Sequence, residues 1–196
     1  KDASKIAKNI IKARSIKKII KVDQLVEIIE KNKKSNYKKK INPSTKTFQA
    51  LRIFVNKEIT ELINGIINAT KVLKPGGKIL IVSFHSIEDK IVKYFFHHYS
   101  QNKNSSRYLP EKEIKNILFK LTNKKALLPD KLEVLKNPPS RSAKLRYAFK
   151  INEHSDFSDF KKKFKYLLDI ENLQWFYEKN YCDYTSYIFN IIYNLY

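Results

Sequence analysis

The spacing of apolar residues along the chain predicts that its first part is helical. Apolar side chains recur every three to four positions in 4–14 and again in 25–30, and lysines lie on the other face of the first segment. Ser44 or Thr45 can cap a third helix, whose apolar stripe continues through 46–72. We therefore expect two short helices followed by one long helix.

A change in the hydrophobic period marks strands in the middle of the chain. A Pro-Gly-Gly turn at 75–77 is followed by a continuous apolar run in 78–83, which is typical of a strand buried on both faces. A helix is predicted next, over 87–99. Strict alternation in 144–150 predicts a half-buried strand, and 117–121 is a further strand candidate. Strands that alternate with helices indicate an α/β fold.

Polar residues occupy the end of the apolar strand. Ser83, Phe84, His85 and Ser86 follow the apolar run directly, and α/β proteins bind their ligands in the crevice beyond the carboxyl ends of their strands. The chain has only three glycines, and none forms the phosphate-cradling loop expected in a nucleotide-binding domain. The pattern predicts a ligand site at this strand end that lacks a glycine-rich cradle.

The chain is strongly basic, with a formal net charge of +21. Residues 1–40 carry a net charge of +10 and residues 101–153 carry +8, whereas residues 154–196 carry −1. This distribution is typical of a protein that meets a polyanion such as RNA. The alternative explanation of the lysine count is an AT-rich genome, which favours Lys, Asn and Ile. The basic loop at 31–40 is accordingly either a solvated connector or an RNA contact.

The remaining composition indicates a folded protein of a reducing compartment. A hydrophobic content of 42% supports a core. Cys182 is the only cysteine, which excludes an internal disulfide and a cysteine-rich zinc site and favours a cytoplasmic location. We find no run of about 18 apolar residues, so no membrane-spanning helix is predicted.

Three sequence blocks together resemble one enzyme family. They are FQALRIFVNKE at 48–58, LKPGG followed by SFHSIEDKIVKYFF within 73–96, and NPPSRSAKLR at 137–146. The upstream INPSTKTFQALR, at 41–52, agrees with them. In this order and spacing the blocks resemble the bacterial small-subunit ribosomal RNA cytosine-N4 methyltransferases, the RsmH or MraW family.

The resemblance implies a fold and a domain organisation. The family has a class I, Rossmann-like fold with a mixed seven-stranded sheet that an inserted helical domain interrupts. Residues 1–41 are then the end of the insertion, residues 42–152 supply the fifth to seventh strands, and residues 153–196 form a helical, aromatic tail of unknown role. The chain is expected to be the carboxyl-terminal two thirds of such an enzyme, a partial fold without the early strands.

The resemblance also implies that the strand-end cluster faces the substrate. Methylating an exocyclic amine requires a base held out of its stack, with acceptors that orient the hydrogens of the amine. Ser83 and His85 are therefore expected to line a cytidine pocket, and Phe84 is expected to pack beneath the base or stack on it. The structural alternative is that Ser86 caps the following helix and that the acidic residues after it complement the helix's positive end.

A second polar set forms a proline-stiffened loop that runs into the last strand, and it is expected to grip RNA phosphates. Its members are Asn137, Ser140, Arg141, Ser142, Lys144 and Arg146. Pro139 stands where the family usually has an arginine, which removes one cation from the grip. The alternative is that these side chains pair with nearby carboxylates.

A third polar set lies on one face of the long helix. Gln49, Arg52 and Asn56 are spaced by three and four residues, so they either reach the same cleft or are simply solvated. The adjacent His97 and His98 point in different directions on a helix, so we expect no metal site.

The resemblance implies S-adenosylmethionine-dependent methylation of N4 of a cytidine in 16S ribosomal RNA or the small ribosomal subunit. The family's cofactor loop lies upstream of Lys1, so no cofactor-binding residue is expected here, and the isolated chain is not expected to be active. An unpaired edge of the fifth strand favours self-association. The rival interpretations are a non-catalytic, basic RNA-binding module and an inactive remnant.

Overall fold

The computed structural model describes residues 2–31, 42, 44–100, 117–154 and 156–172. The basic loop at 32–40, the polar loop at 101–107 and the aromatic tail from 173 onward, including Cys182, lie outside the described residues. Within the described part, no helix is long and apolar enough to cross a membrane.

The chain divides into two units, Lys1–Thr60 with Tyr166–Tyr196 as unit 1 and Glu61–Lys165 as unit 2. The helices are α1 (Asp2–Ile16), α2 (Val22–Glu30), α3 (Thr45–Val55), α4 (Glu58–Val72), α5 (Ser86–Ser100), α6 (Lys131–Lys136), α7 (Ser158–Lys163) and α8 (Lys165–Asn172). The strands are β1 (Lys78–Ser83), β2 (Phe119–Lys120) and β3 (Lys144–Lys150). The two predicted amino-terminal helices and the helix after β1 are confirmed. The described start of the predicted helical tail is helical in α7 and α8.

Unit 1 is held together by the apolar stripes of α1, α2 and α3. Its buried core consists of Ala3, Ile6, Ala7, Ile10 and Ile29. Half-buried residues of α3, including Phe48 and Leu51, pack against this core. The helical spacing of these residues explains why the sequence pattern located α1, α2 and the start of α3.

The prediction of a single long helix over 46–72 is wrong, because the helix is interrupted between α3 and α4. Lys57 has a φ of 52°, in the left-handed region that ends a helix. The first turn of α4 is capped from far along the chain: the Glu171 carboxylate accepts hydrogen bonds from the backbone N–H of Ile59 (3.0 Å) and of Thr60 (2.7 Å). Neither glycine nor proline lies at this interruption, and the apolar spacing continues across it, so the sequence pattern did not reveal it.

Unit 2 contains a three-stranded sheet with the order β1-β3-β2, and β3 is antiparallel to both neighbours. The register pairs Lys78 with Phe149 and Ser83 with Lys144. The predicted strand at 144–150 is confirmed at both ends, while the candidate at 117–121 forms only two residues of strand. The last strand of the sheet therefore lies between two strands that precede it in sequence.

The prediction that β1 is buried on both faces is wrong. Ile79 is buried, but Leu80 and Val82 on the other face are 54% and 53% exposed. Helix α5 contacts all three strands. On the open face, the Lys78 Nζ lies 4.3 Å from the centre of the Tyr147 ring. The continuous apolar run therefore reflects a face that these described residues leave uncovered.

Aromatic side chains fill the core of unit 2. Phe95 of α5 lies 5.6 Å, centre to centre, from Phe119 of β2, 6.0 Å from Phe157 and 4.8 Å from Phe160. Phe95, Phe119 and Phe160 are fully buried. Residues just after β3 thus complete the same core that α5 begins.

A buried lysine joins the end of β3 to the end of α4. The Lys150 side chain is fully buried, and its Nζ donates hydrogen bonds to the backbone oxygens of Thr70 (2.9 Å) and Leu73 (2.6 Å) and to the Glu153 carboxylate (2.7 Å). These acceptors are the C-terminal carbonyls of a helix, which otherwise have no intrahelical partner. Lys150 therefore acts as a C-cap of α4.

Candidate functional site

The predicted pocket residues stand at the junction of β1 and α5. Ser83 is buried, and its Oγ donates a 3.4 Å hydrogen bond to the backbone oxygen of Lys144. His85 is also buried, whereas Phe84 between them is 56% exposed. The alternation of the strand continues through these residues, so it turns two polar side chains inward and presents one aromatic ring outward.

His85, and not Ser86, is the N-cap of α5. The backbone N–H of Glu88 donates to His85 Nδ1 (3.4 Å), and the backbone N–H groups of Phe84 (2.8 Å) and His85 (3.3 Å) donate to the Glu88 carboxylate. This reciprocal arrangement is a capping box in which a histidine takes the place of the usual hydroxyl residue. The buried Ser86 Oγ makes no hydrogen bond. The structural alternative was therefore right about helix capping and wrong about which residue does it.

The capping box holds Glu88 in its ionised form. Burial by itself raises the pKa of Glu88, but the side-chain contact with His85, together with the N–H groups of Phe84 and His85, outweighs it. The net result is a pKa below the ordinary value for glutamate. The His85 Nε2 lies 3.3 Å from Glu88 Oε1, so this carboxylate fixes the position of the ring.

Two cations of the predicted phosphate grip pair with a carboxylate of α5. Arg146 Nε lies 2.7 Å from Asp89 Oδ1, and Lys144 Nζ lies 3.2 Å from Asp89 Oδ2. Burial raises the pKa of Asp89, but the hydrogen bonds from Arg146 and Lys144 outweigh it and lower that pKa. For these two residues, the structure shows the carboxylate pairing that the sequence left open as an alternative.

The remainder of the second set lies on a 3₁₀ turn, Pro138–Ser142, directly before β3. Asn137, Arg141 and Ser142 are exposed, while Ser140 is buried with an Oγ that makes no hydrogen bond. Since Lys144 pairs with Ser83 across the sheet, this turn and the strand-end cluster lie at the same end of the sheet. The structure therefore brings two of the three predicted sets together.

The third set belongs to unit 1 and is only partly solvated. Arg52 forms a two-pronged contact with Glu58, through Nε to Oε1 (2.7 Å) and Nη2 to Oε2 (3.1 Å). Asn56 donates to the same carboxylate at 3.4 Å. Gln49 is half-buried and does not share this contact. The third set therefore divides into Arg52 and Asn56, which contact Glu58, and Gln49, whose amide does not.

That amide lines a cavity of about 510 Å³ in unit 1. The described residues that line it are Val26, Asn42, Ser44, Thr45, Phe48, Gln49 and Arg52. From the sequence, Ser44 is expected only as a helix cap, and Asn42 only marks the start of the 42–152 part. The signal that could have identified them was their position in INPSTKTFQALR, one of the blocks that carry the resemblance.

Comparison with known proteins assigns most of the chain to one group. The family described as the MraW methylase family matches residues 1–151. The proteins named ribosomal RNA small subunit methyltransferase H are similar to this chain. The one from Ehrlichia canis is 46% identical over 151 residues, covering 77% of this chain and 48% of that protein. The one from Bartonella henselae is 42% identical over 159 residues, covering 81% and 46%. The chain spans about half the length of the curated relatives it matches.

Proposed function

Because the chain belongs to the MraW methylase family, we propose that it serves the S-adenosylmethionine-dependent methylation of small-subunit ribosomal RNA, at N4 of a cytidine. The name of the similar proteins supports the reaction class and the RNA. The exocyclic nitrogen is the finer part of the proposal and rests on the resemblance of the three sequence blocks.

The observation that carries the proposal is the meeting of two polar sets at one end of the sheet. The cross-strand pair of Ser83 and Lys144 places the strand-end cluster beside the 138–142 turn. In this proposal Ser83 and His85 line the cytidine pocket, and the exposed ring of Phe84 stacks on the base. The exposed Arg141 contacts phosphate, while Asn137 and the two serines of the turn supply further polar contacts.

The remaining members of the predicted grip have a supporting part in this proposal. Lys144 and Arg146 form ion pairs with Asp89, so they fix the start of α5 against β3. In this way they hold Ser83 and His85, which lie where β1 meets α5, in place. Gln49, Arg52 and Asn56 are proposed RNA contacts of unit 1. The described groups thus account for substrate binding and positioning.

The described residues do not provide a cradle for S-adenosylmethionine. Gly65 lies inside α4, and Gly76 and Gly77 form a turn that is closed onto β3: Gly76 N–H donates to the backbone oxygen of Lys150, and Lys150 N–H donates to that of Gly77. None of the three glycines is therefore available for a glycine-rich loop. The roles proposed for this chain are confined to the RNA side of the reaction.

We propose further that the sheet of unit 2 is the end of a larger, Rossmann-like mixed sheet. The antiparallel last strand between two earlier ones, the outer edge of β1 and the exposed Leu80 and Val82 support this. The boundaries proposed for the inserted helical domain, the methyltransferase part and the tail remain at 41 and 152. Without further strands, the outer edge of β1 would favour self-association.

The rival function is a non-catalytic RNA-binding module, which the net charge of +21 favours. The two are separated by producing the protein from its full coding sequence in a bacterium that lacks its own family member. Small-subunit RNA is then digested to nucleosides, and N4-methylcytidine is quantified by mass spectrometry. We expect the modified nucleoside to reappear. RNA binding without it would establish the module, and neither binding nor methylation would indicate the inactive remnant.

The pocket role of His85 is tested by the His85→Ala variant in the same assay. We expect at least a tenfold loss of N4-methylcytidine formation, together with a loss of stability of roughly 0.5–2 kcal/mol because the N-cap of α5 is removed. Asp130→Ala is the matched control, since Asp130 caps α6 through a 2.7 Å bond to the Glu133 N–H and lies outside the proposed pocket. Equal methylation by the two variants would show that His85 is only a cap.

A further inference from the structure

The cavity of unit 1 combines two kinds of wall. Val26 of α2 and the half-buried Phe48 of α3 supply apolar surface, and amide and hydroxyl side chains together with Arg52 supply the rest. None of the described residues that line it is acidic. Its volume of about 510 Å³ lies within the range of roughly 300–1,000 Å³ that is common for small-molecule sites. The cavity therefore has the size and mixed chemistry of a ligand site.

Ser44 places a hydroxyl without a hydrogen-bond partner against this cavity. The residue is 3% exposed, and its Oγ makes no hydrogen bond with any residue that the structure describes. Ser44 is the N-cap residue of α3, where a serine normally accepts a bond from the first turn, yet it has helical backbone angles and no cap bond. A buried hydroxyl left in this state is unfavourable. It is satisfied if a ligand brings a polar atom to the cavity.

The position of Ser44 favours a negatively charged ligand group. Helix α3 is 11 residues long, and its amino-terminal end carries the positive end of the helix dipole. The first turn contains no acidic residue, and it contains Lys46. Helix starts favour phosphate groups through this dipole and through nearby hydroxyls. The N–H groups of Ser44 and Thr45 already donate to Asn42, to its Oδ1 (2.7 Å) and its backbone oxygen (3.1 Å), so the hydroxyls supply the direct contacts here. The exposed Thr45 adds a second hydroxyl at this end.

The chemistry changes one turn further along the helix. Phe48 and Gln49 offer an aromatic ring and an amide, which are the groups that stack on unpaired bases and bond to their edges. Arg52 lies one turn beyond and already pairs with Glu58, so it adds little net charge there. The anion-favouring end and the base-favouring part are about 5 Å apart along the axis, one helical turn. This order suits a phosphate joined to a base.

We propose that this cavity binds one unpaired nucleotide of an RNA strand, with its phosphate at Ser44 and its base against Phe48 and Gln49. The proposal rests on the proposed function for the RNA itself. It gives unit 1 a nucleotide site of its own, in addition to the strand end and turn of unit 2.

Direct titration of the 196-residue chain tests the site without cofactor or methyl transfer. Cytidine 5′-monophosphate, cytidine and inorganic phosphate are titrated separately by calorimetry and by amide NMR. We expect the nucleotide to bind more tightly than either part, with amide shift changes concentrated at 44–49. Ser44→Ala is expected to weaken nucleotide binding roughly three- to tenfold, the value of one hydrogen bond. Its melting temperature is expected to be unchanged or higher, because the Oγ has no partner to lose.

Ser15→Ala is the control serine of the same unit. Its Oγ bonds to the backbone oxygen of Lys12, outside the cavity, so nucleotide affinity is expected to stay the same. The proposal is overturned if the nucleotide does not bind saturably, if phosphate alone binds equally well, or if Ser44→Ala binds like the wild type. Nucleotide binding without RNA methylation would refute the proposed function and leave this site standing, and the converse result would refute only the site.

Discussion

His85 shows how one side chain at a strand end carries a structural and a proposed chemical role. Its ring accepts the Glu88 N–H and thereby fixes the start of α5, and its burial beside Ser83 places it where a substrate pocket is proposed. The sequence predicts that His85 is a site residue and offers Ser86 as the alternative helix cap. Hydroxyl residues are the usual caps, so residue type pointed to the serine, and only the geometry shows that the histidine takes the position.

Asp89 is expected to control the acid stability of unit 2. Asp89→Asn breaks its contacts with Arg146 and Lys144 and is expected to lower the free energy of unfolding at pH 7 by about 1–3 kcal/mol. The pKa of Asp89 is lowered by folding, so its stabilisation is present above the ordinary value of 3.8 and is lost as pH falls through the lower folded-state pKa. The variant should therefore have a shallower acid limb in urea unfolding measured across pH.

Exposed Asp23 supplies the control for this measurement. Asp23→Asn removes the same formal charge without breaking a buried pair, so its loss of stability at pH 7 is expected to stay below about 1 kcal/mol, the usual value of an acidic residue in the first turn of a helix. A parallel acid limb for Asp89→Asn would contradict the assignment. Some slope will remain in that variant, because folding also lowers the pKa of Glu88.

At the scale of elements, regular periodicity was predictable and its interruptions were not. The alternation in 144–150 gave the bounds of β3 correctly but not the face that is buried. Ala148 and Lys150 are buried, whereas the large apolar side chains of the strand pair across the sheet with the exposed residues of β1. The break at Lys57 was missed, since Glu171, which caps the new helix start, is 112 residues from Ile59 in sequence. The open face of β1 was missed for a related reason: an apolar run records the tendency to be buried, and not whether the described residues bury it.

Among the side chains that link one element to another, Lys150 is expected to contribute most to the free energy of unfolding. Lys150→Met keeps the length of the side chain but leaves two carbonyls of α4 and the Glu153 carboxylate without their donor. We expect a loss of roughly 2–4 kcal/mol in the free energy of unfolding, measured by urea denaturation. The same substitution at exposed Lys78, on the neighbouring strand, is expected to change it by less than about 1 kcal/mol. Equal effects would show that burial of the amine has no structural value.

At the scale of the whole molecule, both units use residues beyond the family match, which ends at 151. Phe157 and Phe160 complete the core of unit 2, and Glu171 caps a helix start of unit 1. The helical, aromatic tail was expected from the sequence, but no role was assigned to it. Aromatic composition alone does not reveal which surface such a segment covers, because that depends on contacts far away in sequence.

The uneven charge of the chain predicts how RNA binding responds to salt. We expect affinity for small-subunit RNA to fall steeply between about 50 and 200 mM salt, as counterions are released from phosphates. Arg141→Gln is expected to weaken binding at all sequences and to reduce the slope of log affinity against log salt by about 1. Lys161→Gln, in the acidic last quarter of the chain, should leave the slope unchanged. A filter-binding series at several salt concentrations measures both, and an unchanged slope for Arg141→Gln would remove this residue from the interface.

The hydrogen bonds of Glu171 can form only late in the synthesis of the chain. The ribosome makes Ile59 and Thr60 more than 110 residues before the carboxylate that receives their N–H groups. At about 5–20 residues per second, the start of α4 waits roughly 6–22 s for its cap during translation. A nascent chain arrested before residue 171 therefore exposes this helix start, and protease cleavage near Lys57 should persist until the ribosome has passed α8.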